Sequence, residues 1–104
     1  MRLSEKRCIF TSKLADLLDF IVTKTNYHPV LDDVKASTGH MNHSLHYDGL
    51  AADIILYDLN MNYLTDSEDY RICGDYWESL HPNCYWGGSF GDGNHFSMSW
   101  DSRR

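Results

Sequence analysis

The chain has 104 residues, of which 42% are hydrophobic and 13% are aromatic. This composition supports a packed core, and the chain is too short for two domains. We therefore expect a single domain over residues 1–104. Nine basic and fifteen acidic residues give a formal net charge of −6. That sign excludes a nucleic-acid binder that works by neutralising phosphates. The basic residues concentrate near the two ends, which leaves an acidic middle where a cation would bind.

No apolar run approaches the roughly 18 residues that a membrane span needs, and no signal-peptide core follows the polar start. We therefore expect no membrane span and a product synthesised in the cytoplasm. The three cysteines lie outside any Cys-x-x-Cys motif. They are interpreted as reduced structural thiols, with a disulfide between two of them as the alternative.

Apolar residues at helical spacing predict a first helix. Leu14–Ile21 carries them at i, i+3, i+4 and i+7. Thr11 or Ser12 is the candidate N-cap, and the helix is expected to end near Asn26 because Pro29 prevents its continuation.

A second helix and several short strands complete the predicted fold. Thr65–Glu68 has the spacing of a capping box before a helix over Tyr70–Leu80, which His81–Pro82 would end. Strands are predicted at Val30–Lys35, Leu50–Tyr57, Tyr85–Trp86 and His95–Trp100. The strand Leu50–Tyr57 is expected to be buried on both faces because Asp53 is almost its only polar residue. The pattern predicts one α+β domain, a small antiparallel sheet packed with helices, and two site-like loops, 36–48 and 87–94.

Three metal-capable side chains stand beside small residues in these segments. His46 lies on the loop that leads into the strand of Asp53, and the small residues between them leave room for an ion. His95 begins the last strand. Two imidazoles and one carboxylate leave a fourth position for water, which is typical of catalytic zinc. Asp92, in a glycine-flanked turn three residues before His95, is a candidate general base.

Two other clusters have simpler interpretations. His40 and His43 flank His46 at three-residue steps, which could indicate a second metal site or substrate contacts, but a solvated loop is favoured. The stretch 58–69 imitates a calcium loop, but Tyr63 stands where that loop needs glycine.

Three short motifs occur in a fixed order along the chain. They are S-x-H-x-x-G-x-A-x-D at Ser44–Asp53, W-G-G-x-F at Trp86–Phe90 and D-x-x-H-F at Asp92–Phe96. In this order they resemble the zinc peptidases of the D-alanyl-D-alanine carboxypeptidase and L-alanyl-D-glutamate endopeptidase family, which includes small phage endolysins and has the Hedgehog/DD-peptidase fold. The resemblance covers most of the chain.

The resemblance implies a zinc ion (Zn²⁺) held by His46, Asp53 and His95, with Asp92 as the general base. The implied reaction is hydrolysis of an amide bond in the stem peptide of bacterial peptidoglycan. The L-alanyl-D-glutamate bond is the expected target of a phage-lysin-type enzyme, which would be a monomer made in the bacterial cytoplasm and would act on the cell wall after release.

The resemblance also implies supporting residues and leaves alternatives. Ser44, Trp86, Gly87 and Gly88 would contact substrate or support the site. Members of the family usually carry an arginine ahead of the S-x-H loop, and this sequence has none there. Lys35, Arg71 or a loop histidine such as His43 are candidates to replace it. The alternatives are a D,D-carboxypeptidase or dipeptidase, and a zinc-binding fold that binds wall peptide without turnover.

Overall fold

The computed structural model describes residues 1–34, 44–101 and 103–104. These residues form two α-helices and one four-stranded sheet: α1 (Leu3–Lys24), β1 (His28–Asp33), β2 (Ala51–Tyr57), α2 (Arg71–Leu80), β3 (Cys84–Trp86) and β4 (His95–Met98). Short 3₁₀ turns cover Ser67–Tyr70 and Gly87–Phe90. The strand order is β1-β2-β4-β3, and every described pair is antiparallel. The predicted α+β class is confirmed.

Helix α1 is longer than its sequence pattern predicts. It begins at Leu3, so the prediction of Thr11 or Ser12 as N-cap is wrong. The Thr11 hydroxyl instead donates to the Arg7 carbonyl, one turn earlier in the same helix. The buried stripe of the helix begins at Lys6. Because lysine is charged, a search for apolar residues at helical spacing does not count this position.

Strand β2 shows alternating burial, which corrects the prediction that both of its faces are buried. Ala52, Ile54 and Leu56 are fully buried, whereas Asp53 and Ile55 are only partly covered. The buried set belongs to the same hydrophobic core as residues of both helices. The partly covered set belongs to the opposite face, on which Ala51 is also fully buried but Asp53 can reach solvent.

The remaining boundaries differ from the predictions by a few residues. Strand β1 begins at His28, two residues before the predicted start. The Asp66 side chain, in place of Thr65, caps the turn before α2 by accepting a hydrogen bond from the backbone N–H of Glu68. Helix α2 ends at Leu80, with His81 as its C-cap in an extended conformation, as the predicted stop at His81–Pro82 requires.

Trp77 of α2 connects the helices to the sheet. Its ring is fully buried and forms T-shaped pairs with Phe10 and Phe96, at centroid distances of 5.7 and 6.2 Å. Its indole N–H donates to the carbonyls of Ser97 on β4 (3.0 Å) and Tyr85 on β3 (3.2 Å). The core therefore fixes the positions of the two strands that carry part of the candidate site.

Candidate metal centre

The register between β2 and β4 places a carboxylate beside an imidazole. Asp53 pairs directly with His95, and Ala51 pairs with Ser97. Directly opposed residues of antiparallel strands extend from the same face of a sheet, so all four side chains belong to one face. We call this the site face, and we call the opposite face, which includes Ala52 and Phe96, the core face.

A tight turn supplies the second imidazole. In residues 44–49 the backbone N–H of Tyr47 donates to the Ser44 carbonyl and that of Gly49 donates to the His46 carbonyl. The Ser44 hydroxyl oxygen also accepts a hydrogen bond from the backbone N–H of His46, at 3.2 Å. Gly49 has a φ of +72°, a conformation that disfavours side chains, where the turn joins β2. Ser44 therefore helps to hold His46 toward the sheet.

The three side chains converge on one carboxylate oxygen. His46 Nε2 lies 3.2 Å from Asp53 Oδ1, and His95 Nδ1 lies 3.5 Å from the same oxygen. One ligand atom from each residue can be chosen so that all three lie within 4.8 Å of one another. The His46 side chain is 3% exposed, whereas those of Asp53 and His95 are 19% and 18% exposed. This group can hold a metal ion and is open on one side.

The electrostatics of the group favour a cation. Burial alone would raise the pKa of Asp53, but hydrogen bonds and charge from His46 and His95 outweigh it and hold that pKa well below 3.8. Burial alone would likewise lower the pKa of His46, but the hydrogen bond and charge of Asp53 prevail and raise it above 6.5. Without metal, the Asp53 carboxylate therefore stays ionised and stabilises the protonated, positively charged form of His46. A bound metal cation would supply the positive charge in place of that proton.

Asp92 lies in the turn that leads into β4. Its backbone N–H donates to the Gly87 carbonyl, and its own carbonyl accepts from the N–H of His95. Asp92 is exposed and lines a cavity of about 180 Å³ together with His95. A Cβ at Gly87 would lie 2.5 Å from the Asp92 carbonyl oxygen and 2.9 Å from the His95 Cβ. The absence of a side chain at Gly87 is therefore what lets this turn close against the site.

Trp86 forms part of the wall of this cavity and is only 5% exposed. Its indole N–H donates to the Gly93 carbonyl at 2.7 Å. The guanidinium of Arg71 lies 5.4 Å from the Trp86 ring and also pairs with Glu68. Gly88 packs against the same ring, where a Cβ would clash. These contacts hold the indole in the wall, so little of its surface is open for stacking against a ligand.

The structure does not assign the other residues singled out in the sequence to this group. Lys35, His40 and His43 lie outside the described residues. The Asp58 carboxylate accepts hydrogen bonds from the backbone of Asn60 and Asn62 and thus braces a turn. Within the described ranges, the group of His46, Asp53 and His95 is the one set of three or more potential metal ligands.

Sequence reasoning missed two residues beside the site. Ser97 lines the cavity with His95, and the alternation of β4 could have revealed it because both residues share a face. Arg104 lines the same cavity, but nothing local in the sequence indicates that. Its position depends on Trp100, which forms an antiparallel bridge with Arg103.

No protein-family model matches the chain, and no curated protein matches it significantly. In the described part of the chain, neither helix combines the length and apolarity of a membrane span. What bears on the function is therefore the site and the sequence motifs.

Proposed function

We propose that the protein is a zinc-dependent peptidase that hydrolyses the L-alanyl-D-glutamate bond in the stem peptide of bacterial peptidoglycan. The convergence of His46 and His95 on the Asp53 carboxylate carries this proposal. The order of the three sequence motifs, which resembles that of small phage endolysins with the Hedgehog/DD-peptidase fold, supplies the substrate class.

The donor set suits zinc. Two imidazole nitrogens and one carboxylate oxygen are ligands that zinc accepts, and three protein ligands leave a position for water or substrate. The partial exposure of Asp53 and His95 provides the access that such a position requires. When bound, zinc supplies Lewis acidity, which polarises a carbonyl group and lets water lose a proton near neutral pH.

The residues of the chain take distinct parts in the proposed hydrolysis. His46, Asp53 and His95 would hold the ion, and the turn braced by Ser44 orients His46. Asp92 accepts a proton from the attacking water and returns it to the leaving amine. The observation that supports this role is that Asp92 and His95 line the same cavity. Trp86 and Gly87 shape the wall on this side.

Metal analysis and digestion of purified peptidoglycan test this proposal together. We expect the purified protein to carry about one zinc per chain, and to release fragments with a new D-glutamate amino terminus, identified by mass spectrometry. A chelator should stop this release, and added zinc should restore it. Release of D-alanine alone would show a carboxypeptidase instead, and a protein that carries iron in place of zinc would contradict the assignment, because the same donors also suit iron(II).

A variant separates turnover from metal binding. Asp92→Asn keeps the shape of the side chain but removes the base, so we expect a loss of about 100-fold or more in the rate, with zinc content unchanged. Asp16→Asn, at an exposed position of α1, is the matched control and should behave as wild type. If the wild type binds zinc but is as inert as Asp92→Asn, the protein is a zinc-binding fold without turnover.

A further inference from the structure

The cavity beside the metal group contains a cation that the proposed hydrolysis does not use. Arg104 is exposed at the cavity, and its guanidinium lies over the Tyr85 ring at 4.6 Å from the centroid. Among the described residues, no carboxylate forms an ion pair with it. A guanidinium stacked on an aromatic face keeps its N–H groups free at the edge, where they can bind a carboxylate in a bidentate manner.

The neighbouring arginine explains why Arg104 is held at this place. Arg103 pairs with Asp48, which belongs to the turn that carries His46, at 2.5 Å. It also exchanges two backbone hydrogen bonds with Trp100. Two consecutive arginines therefore differ in role: Arg103 fastens this segment to the site, and Arg104 presents its charge to the cavity.

A second polar group in the cavity wall lacks a hydrogen-bond partner among the described residues. Ser97 is 1% exposed, and its hydroxyl makes no hydrogen bond within the described part of the chain. Buried hydroxyls are normally hydrogen-bonded because an unpaired one is costly. Ser97 lies on the site face, two residues along β4 from His95, and lines the cavity. A bound ligand or water would satisfy it.

Charge restricts the ligand. Asp92 and Arg104 both line this cavity, so a carboxylate that enters it is repelled by the first and attracted by the second. The cavity of about 180 Å³ is partly open to solvent and can receive part of one amino-acid residue. Phe90, 79% exposed at the rim, offers an apolar surface for the methylene groups of such a residue.

We propose that Arg104 and Ser97 form a carboxylate subsite that binds the free carboxylate of the residue on the amine side of the cleaved bond. This inference rests on the proposed function, in which Asp92 returns its proton to the leaving amine in this same cavity. In the stem peptide, that carboxylate is the α-carboxylate of D-glutamate, which is linked onward through its side chain. Stem peptides whose α-carboxylate is amidated would be poorer ligands, because an amide cannot form the charged pair with Arg104.

The test uses two probes that cannot be cut at the proposed bond. They are γ-D-glutamyl-L-lysine and its α-amide, titrated calorimetrically into the zinc-loaded full chain. We expect the carboxylate probe to bind roughly 10- to 100-fold more tightly, the range expected for hydrogen bonds to a charged group. Arg104→Gln should abolish the preference, and Ser97→Ala should reduce it. Arg2→Gln, which removes an equal charge from an arginine paired with Glu5, is the matched control and should retain it.

The outcomes separate the subsite from the proposed hydrolysis. Equal binding of the two probes, binding of neither, or a preference that persists in Arg104→Gln overturns the subsite, whatever the effect on peptidoglycan. The expected preference without cleavage of peptidoglycan supports the subsite and contradicts the hydrolysis. Cleavage without any preference supports the hydrolysis alone.

Discussion

The two faces of the sheet are formed by the same strands but carry different kinds of side chain. On the core face, Ala52, Phe96 and Met98 are fully buried in the hydrophobic core. On the site face, the paired residues Asp53 and His95 are polar and partly exposed. Side chains alternate along a strand, so one residue can pack in the core while the next carries a polar group of the candidate site. The comparison implies that core-face substitutions reduce the free energy of unfolding, whereas site-face substitutions reduce metal binding.

The largest effect on stability is expected at Trp77. Trp77→Ala removes a fully buried ring that contacts Phe10 and Phe96, and with it the indole donor to β3 and β4. We expect a loss of about 3–5 kcal/mol in the free energy of unfolding, measured by urea denaturation of the metal-free protein. His95→Ala on the site face should cost only about 1 kcal/mol under the same conditions. Equal losses would show that the two faces are not energetically distinct.

The next effect concerns metal binding. Asp53→Asn keeps the shape of the side chain but removes the charge on which both imidazoles converge. We expect zinc affinity to fall by more than about 100-fold. Loss of a residue that only orients a metal ligand costs up to about 100-fold, and loss of a ligand should cost more. Metal content after dialysis against a competing chelator measures this. Asp58→Asn is the control, because that carboxylate braces a turn outside the group. An unchanged zinc content in Asp53→Asn would refute the site.

A smaller effect is expected where the backbone approaches the site face most closely. Gly87→Ala adds a methyl group that meets the Asp92 carbonyl oxygen and the His95 Cβ. We expect a loss of about 1–3 kcal/mol in stability, together with weaker zinc binding because His95 must move. Gly91→Ala is the matched control: Gly91 has a φ of +75°, but its added methyl group would meet nothing within 4 Å. It should cost about 1 kcal/mol through backbone strain and leave zinc binding unchanged.

The sequence predicted the composition of the site better than its assembly. Alternation within each strand and the motif spacing identified His46, Asp53 and His95 as candidate ligands. The pairing of Asp53 with His95 is a matter of register, and a slip of one residue would place one of them on the other face. Local patterns cannot fix that register. Arg104 was missed because its place depends on the contact between Arg103 and Asp48, which are 55 residues apart in the chain.

The start of α1 was missed for a similar reason. Lys6 is 6% exposed and lies on the buried stripe of the helix. A hydrophobicity pattern treats lysine as a surface residue, although its long aliphatic stem can cover apolar surface while the amine reaches water. The burial of β2 was overestimated because its site-face residue Ile55 is apolar, although that face is only partly covered.

The smallest effect, and the sharpest contrast between stability and metal binding, lies in the pH dependence of the site face. In the metal-free protein the pKa of His46 is raised, so its protonated form stabilises the fold below about pH 6.5 and this contribution is lost as the pH rises through the folded-state pKa. The pKa of Asp53 is held below its ordinary value of 3.8, so its ionised form stabilises the fold above about pH 3.8, and this contribution is lost as the pH falls toward the folded-state pKa. We therefore expect the contribution of this pair to be greatest between these two values.

Zinc affinity should change in the opposite direction over the same neutral range. Imidazole must lose its proton to bind a metal, so zinc binding strengthens as the pH rises above 6.5 while the metal-free protein loses the contribution of His46. Urea denaturation with chelator and zinc titration, each at pH 5.5, 7 and 8, would measure the two slopes. His46→Gln should flatten the decline in metal-free stability, whereas His28→Gln, at an exposed position of β1, should not. Parallel slopes in the wild type would contradict the assignment of one imidazole to both the ion pair with Asp53 and the metal.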